Sequence, residues 1–521
     1  MKEKKPKNYN KNPSLRLQKQ KIRCIIIFME SQTIANEENK IEESEVQALE
    51  RKQFVRMTQT PIPKLIISLG IPTTLSMMVT SLYNLADTYF VSLLGNDSIT
   101  AAVSNLLALM SIIQAVGFTY GIGSGSIVSK LLGKRDREGA DRVLSSSFFI
   151  ALCSGLVILF FGMLFLTPLM KLLGSVNPEV LGYSKKYARF ILLAAPFMCM
   201  SFVMNNVLRA EGKAVLSMIG LIVGAVLNVG LDPLLIFVFD MGITGAALAT
   251  FISQITSFCV LLGMFLSRRT VTRLKIRSIS RKFAVYGDVI ATGFPSFCRQ
   301  VLASLCTVFL NQNAQLYGNL LGEKGGDAAQ AAFGVVQKVF MLAFSISLGI
   351  GQGYQPFLGY NYSSKRYDRV RKGYLFTLGF SVSLMTAFSI FCAIFAPALM
   401  HVFSLSDMAT EIGTLSLRLQ CICMPLLPVN FMISVTYQVV GNKALASLLS
   451  VSRQGLFYIP AILLLPKVWQ LFGVQCSQSI SDFFSFLFAI PFTVMFFKSL
   501  KRLEKQALKE KEGEQVCVEN V

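Results

Sequence analysis

Residues 214–239 read AVLSMIGLIVGAVLNVGLDPLLIFVF. The run holds a single carboxylate, Asp232, and is longer than the about 20 apolar residues that cross a bilayer. It reads as a membrane-spanning helix rather than a core helix of a soluble domain. A charge near the bilayer centre is expensive, so an intramembrane carboxylate is a functional candidate by default. Asn228 lies four residues before Asp232, on the same helix face. Pro233 follows and lacks an N–H, so the carbonyl of Val229 loses its usual partner. A carboxylate, an amide oxygen and a free carbonyl are hard oxygen ligands that suit Na+, or H+ when the carboxylate takes a proton.

Outward from this run the pattern recurs. Apolar spans are expected at 62–94, 99–129, 143–167, 183–208, 214–239, 243–266, 289–317, 328–358, 373–397, 411–440, 444–466 and 473–497. The 521 residues are 53% hydrophobic and 15% charged, against roughly 25% charged in soluble domains. That excludes a disordered chain and argues against a soluble enzyme. The 11 cysteines lack a Cys-x-x-Cys pair and His401 is the single histidine, so neither a disulfide scaffold nor a structural metal site is expected. An intramembrane enzyme would need a nucleophile with its base or a metal cluster, and no such constellation is present.

The net charge of +21 raises nucleic acid as a partner, but its placement argues for membrane topology instead. The loops 130–142, 209–213, 267–284, 359–372 and 441–443 carry 20 Lys and Arg; the opposite side carries 7. The positive-inside rule then puts both termini in the cytoplasm, leaving no soluble basic domain for a nucleic acid. Residues 1–60 read as a disordered cytoplasmic tail, 267–284 as a basic cytoplasmic linker and 498–521 as a charged cytoplasmic tail. Met29 and Met57 offer alternative starts, and a chain beginning at Met57 is expected to insert and transport normally.

The chain is also doubled. Gly70-Ile71-Pro72 returns as Gly293-Phe294-Pro295; Gly123-Ser124-Gly125 with Leu132-Gly133 returns as Gly349-Ile350-Gly351 with Leu358-Gly359; Arg189 and Pro196 return as Arg418 and Pro425. Each unit holds six spans. Six is even, so the lobes 61–266 and 285–497 cross in the same sense and are related by a pseudo-two-fold axis along the membrane normal. The expected fold is an all-α integral membrane protein of twelve helices. Gly123, Gly125, Gly349, Gly351 and Gly353 would permit close packing or bending in spans two and eight, and Pro72 and Pro295 would bend spans one and seven.

With Leu85-Ala86-Asp87-Thr88, Leu132-Gly133-Lys134-Arg135-Asp136, Leu208-Arg209-Ala210-Glu211-Gly212-Lys213, Asn228-Val229-Gly230-Leu231-Asp232-Pro233, Gly351-Gln352-Gly353-Tyr354-Gln355-Pro356 and Gly359-Tyr360-Asn361-Tyr362, the chain resembles the multidrug and toxic compound extrusion (MATE) family over nearly all of 60–497. The second half looks like bacterial members. The resemblance implies efflux of drugs or organic cations across the cell membrane by a monomer, with no cofactor and with H+ or Na+ as coupling ion. It also implies a first-half cation site at Asp87, Asn228, Asp232 and Thr250, with Asn205 as a further member.

Depth supports that grouping. Asp87 lies eight residues before Gly95, Asp232 eight before Asp240 and Thr250 eight after Gly242, which at 1.5 Å per residue puts all three about 12 Å below one membrane end. Asn205 falls nearer the other end. One branch of the family carries carboxylates in spans seven and ten, but 289–317 and 412–440 contain neither Asp nor Glu, so H+ is favoured over Na+. The second half instead carries Arg299, Arg453 and Asp482, expected to form a buried ion-pair network or to face substrate. Arginines facing the cavity would also suit a lipid-linked sugar flippase, the alternative function. Most of the 41 Phe should face lipid or pack, with a minority stacking on flat cations.

Overall fold

The computed structural model describes residues 46–92, 97–175, 177–267, 269–322, 324–403 and 406–519. Side chains 84, 85, 87–89, 92, 97, 100, 101, 104 and those beyond 509 lie outside that description. The described residues are helical, with no strand among them. The first lobe consists of α1 (Ile62–Ser92), α2 (Asp97–Gly133), α3 (Arg137–Leu164), α4 (Pro178–Ala210), α5 (Ala214–Pro233, ending in a π turn Leu234–Val238) and α6 (Gly242–Leu266). The second consists of α7 (Phe283–Gly318), α8 (Gly325–Ser363), α9 (Tyr367–Ile394), α10 (Asp407–Val440), α11 (443–469) and α12 (471–519).

The last two helices look continuous, Lys443–Lys509, yet Gln470 breaks them with φ 48° and ψ −132°. A helix of that length would run about 100 Å, three times the hydrocarbon thickness. The break is part of the repeat. Non-glycine residues with positive φ are uncommon, and here they come in pairs 230 residues apart, Arg135 with Lys365 and Asp240 with Gln470. The short helices Leu166–Leu172 and Ala396–Val402 share the same spacing. In the fourth span Asn205 donates to the Ser217 carbonyl at 3.0 Å; 229 residues on, Ser434 donates to that of Ala446 at 3.2 Å. The chain thus forms two six-helix lobes with twelve membrane-spanning helices.

Reciprocal packing joins the lobes, as a two-fold axis requires. A Cβ on Gly123 or Gly293 would collide with the backbone of α7 or α2, and one on Gly349 or Gly353 with that of α1. Gly123, Gly293, Gly349 and Gly353 therefore serve close approach between lobes, while Gly125 and Gly351 face Asn206 and Phe431 of their own lobes. Thr73 donates to the Gly349 carbonyl at 2.7 Å, and Gln355 donates to Ser126 Oγ at 2.6 Å. Buried Arg209 donates to Gln352. Nearer the basic end, Ser364 donates to the Gly133 carbonyl at 3.0 Å.

Part of the segment read as a disordered tail is helical, and the basic linker is held to the first lobe by hydrogen bonds. The tail was bounded at residue 60, but residues 46–59 are helical. Phe54 and Met57 lie three apart on one face; Phe54 meets the Tyr360 ring at 6.5 Å, Asn361 Nδ2 donates to the Met57 carbonyl at 3.1 Å, and Arg366 donates to that of Thr58 at 2.8 Å. Residues 1–45 lie outside the described residues. The 267–284 linker is strapped to the first lobe. Glu211, fully buried, accepts from the backbone N–H of Val271 and Thr272, both at 2.8 Å. Asp141 accepts from Arg273 N at 2.7 Å, and Ser146 from Ser280 N at 2.9 Å. Burial pushes the Glu211 carboxyl above its ordinary pKa, against the pull of Lys213 and these donors.

Candidate cation site

Asn228, Asp232 and Thr250 come together in the first lobe, and all three are buried. Asn228 Nδ2 points at Asp232 Oδ1 at 3.4 Å and at Thr250 Oγ1 at 3.5 Å. These are long for hydrogen bonds. Asn228 Oδ1 is buried without a partner, an acceptor that hydrogen-bond economy leaves for a cation or a proton-bearing group. The π turn that follows Pro233 marks where the ordinary helix ladder is interrupted, as Pro requires. Groups of three or more His, Cys, Asp or Glu that could hold a metal are absent among the described residues. The cluster is a hard-oxygen set with few charges, which fits Na+ or a proton and not a transition metal.

Tyr187 was not anticipated. Its hydroxyl lies 3.4 Å from Thr250 Oγ1. Tyr187 stands nine residues into α4 and Thr250 eight into α6, both counted from the end away from the basic loops. The depth arithmetic that grouped Asp87, Asp232 and Thr250 would have included it. Asp87 stands on α1, and its side chain lies outside the described residues. Asn205 faces Ser217, near the start of α5; it is not among the contacts of Asn228 and Thr250.

The second-lobe candidates divide differently. Arg453 Nε and Asp482 Oδ1 form an ion pair at 2.7 Å, with side-chain exposures of 14% and 1%. Gln478 also donates to Asp482, at 2.9 Å. Arg299 does not join this network: among the described residues no carboxylate lies within ion-pair distance of it. Its guanidinium sits over the Phe431 ring at 5.3 Å.

Against known families, the MatE model matches residues 72–234 and again 302–463, together well over half of the chain. The chain belongs to the MATE family. The model lies once on each lobe, at the offset of the paired turns. The chain is 25% identical over 435 residues to the multidrug export protein MepA of Staphylococcus aureus (strain MRSA252), covering 83% of this chain and 93% of that protein. The MepA of Staphylococcus saprophyticus is equally similar. Among solved structures, an outward-facing MATE transporter of the MOP superfamily aligns with a TM-score of 0.80 at 26% identity, over 86% of this chain and 98% of that one. A MOP superfamily transporter from Pyrococcus furiosus, described as having a binding pocket of reverse polarity, aligns equally well at 26% identity.

Proposed function

We propose that this multi-pass membrane protein exports organic, often cationic, compounds by cation antiport, with access alternating between the two lobes and the basic end in the cytoplasm. The kinship with proteins named for multidrug export supports the cargo. The carrying observation for coupling is the buried Asn228–Asp232–Thr250 cluster with its unpartnered Asn228 oxygen. Exposed to the outside, the cluster takes up a cation and substrate leaves; turned inward, it releases the cation and substrate returns. H+ is the favoured ion, because the second lobe has no carboxylate in 289–317 or 412–440. The test is efflux of a fluorescent organic cation from vesicles holding the purified protein, with pH and Na+ gradients imposed separately. A pH gradient alone should drive it; drive by Na+ alone at equal pH would defeat the choice of H+. Cysteines at Ser406 and Arg277, on opposite ends, test orientation: only Ser406→Cys should label from outside the cell.

A flippase reading draws on Arg299 and Arg453, which line one cavity. A pyrophosphate carries several negative charges, however, and Asp482 already offsets one of these two cations. Efflux of the organic cation with no scrambling of a lipid-linked sugar in the same vesicles separates the two readings.

A further inference from the structure

The second lobe contains a partly open cavity of about 30 Å³ between α7, α8, α10 and α11. Its walls include Arg299, Arg453, Ser347, Phe344 and Phe431. Asp288 and Lys443 pair at 2.7 Å near the basic end. Arg299 lies eleven residues beyond Asp288 and Arg453 ten beyond Lys443, so both guanidiniums stand about 15 Å into the membrane, half its hydrocarbon thickness.

Two guanidiniums line the cavity, and the one carboxylate paired with them, Asp482, stands outside its lining. Asp482 engages Arg453 through Nε, while Arg453 Nη2 is buried without a partner. The Ser347 hydroxyl is also buried without one. The Arg299 guanidinium, with no ion pair among the described residues, lies over the face of Phe431, a ring that Gly351 admits, since a Cβ there would strike it. Arg453 lies 5.0 Å from the Phe340 centroid and 5.8 Å from that of Phe344. Ring faces attract a cation, but they leave the N–H edges of a guanidinium unused. Buried donors without acceptors are costly, and a planar oxyanion matches the guanidinium fork in shape and charge.

We propose that this cavity is a subsite for the carboxylate of an organic acid with an apolar or aromatic body. The excess charge is a single positive one, which a monoanion neutralises and a phosphate monoester would overshoot. The volume takes one small planar group, and because the cavity is partly open the body of the molecule extends out of it past its apolar lining residues Phe344, Phe431 and Leu427. The carboxylate accepts from Arg299, from Arg453 Nη2 and from Ser347 Oγ. This goes beyond the coupling reading, because none of the cation-site residues lines the cavity.

The test is equilibrium binding of 1-naphthoate and of 1-naphthamide to the purified full-length protein in detergent. Loss of charge-assisted hydrogen bonds is expected to make the amide about tenfold weaker or worse. Arg299→Gln should weaken naphthoate by a similar factor, Arg299→Lys should restore part of it, and Ser347→Ala should cost a few-fold. Arg299→Gln leaves no carboxylate unpaired, so its thermal midpoint should match the parent. Amide binding as tight as naphthoate, or naphthoate binding in Arg299→Gln within twofold of the parent, would overturn the proposal. So would acetate competing as well as naphthoate at equal concentration, because the apolar walls would then contribute nothing. Asp232→Asn should keep naphthoate binding while losing gradient-driven efflux, so the two readings fail separately.

Discussion

The two lobes share one helix plan but place different charged groups at their polar sites within the membrane. At offsets of 229–230, the stretch that holds Asn228 and Asp232 in the first lobe falls on residues 457–462, Phe-Tyr-Ile-Pro-Ala-Ile, in the second. Conversely, Arg453 falls at Gly224, a glycine packed against Ser253 and Ser257, and Arg299 falls at Ser76 in the register of the Gly70–Gly293 repeat. The Asn228–Asp232–Thr250 cluster occupies one lobe and the Arg299–Arg453 cavity the other. Packing is what the repeat preserves: the turns with positive φ, the glycines between lobes and the Asn205–Ser217 and Ser434–Ala446 bonds all recur. Charge inside the membrane is where the halves diverged, and such charge is retained mainly for function.

The sharpest way to break the comparison is to neutralise one acid in each lobe. Asp232→Asn keeps size and hydrogen bonding but cannot titrate; gradient-driven efflux should fall to the passive leak at normal membrane abundance. Asp482→Asn should reduce efflux a few-fold only. Its larger effect should be on thermal stability, since breaking a buried pair and leaving Arg453 uncompensated costs about 3–5 kcal/mol. Both are read as efflux rate per transporter beside the unfolding midpoint. If Asp232→Asn pumps like the parent and Asp482→Asn does not, the coupling site lies in the second lobe.

The shared packing is tested at the lobe contact. In Gly293→Ala the new methyl meets the Thr119 backbone, which cannot give way, so a loss of about 1–3 kcal/mol is expected. Gly230→Ala has open space around it and should change stability by no more than about 1 kcal/mol, in the stabilising direction. Equal effects at the two sites would remove the close-packing role assigned to Gly293.

The linker gives a smaller, pH-dependent effect. Burial raises the pKa of Glu211 above its ordinary value. A raised carboxyl pKa means the native state holds the proton more tightly than the unfolded one, so this contribution is full at low pH and is lost as pH rises through the raised value. The unfolding midpoint of the parent should decline across that window. Glu211→Gln, which cannot titrate, should decline less, and identical pH profiles would exclude Glu211 as the source. Smallest of all, truncation at Met57 removes Phe54 from the ring of Tyr360 and from the guanidinium of Arg135; insertion should be normal and stability lower by about 1 kcal/mol.

Much was legible in the sequence because the bilayer makes strong demands of it. Twelve long apolar runs, their basic flanks and the doubled Gly-Pro and Gly-x-Gly motifs already determine an all-helical fold of two repeats, since lipid tolerates only helices with satisfied backbones here. Asn228 and Asp232 were readable as a pair because helical spacing is local, and Thr250 because depth is counted along one helix. Tertiary structure decided what depends on the rotation of one helix against another, which a chain pattern does not encode. That Arg453 meets Asp482 while Arg299 meets a ring, that Tyr187 joins Thr250 across two helices, and that Glu211 holds the linker sixty residues away are all of this kind. Each places a polar group in a buried setting where one neighbour rather than another satisfies it, and only the packed lobes select that neighbour.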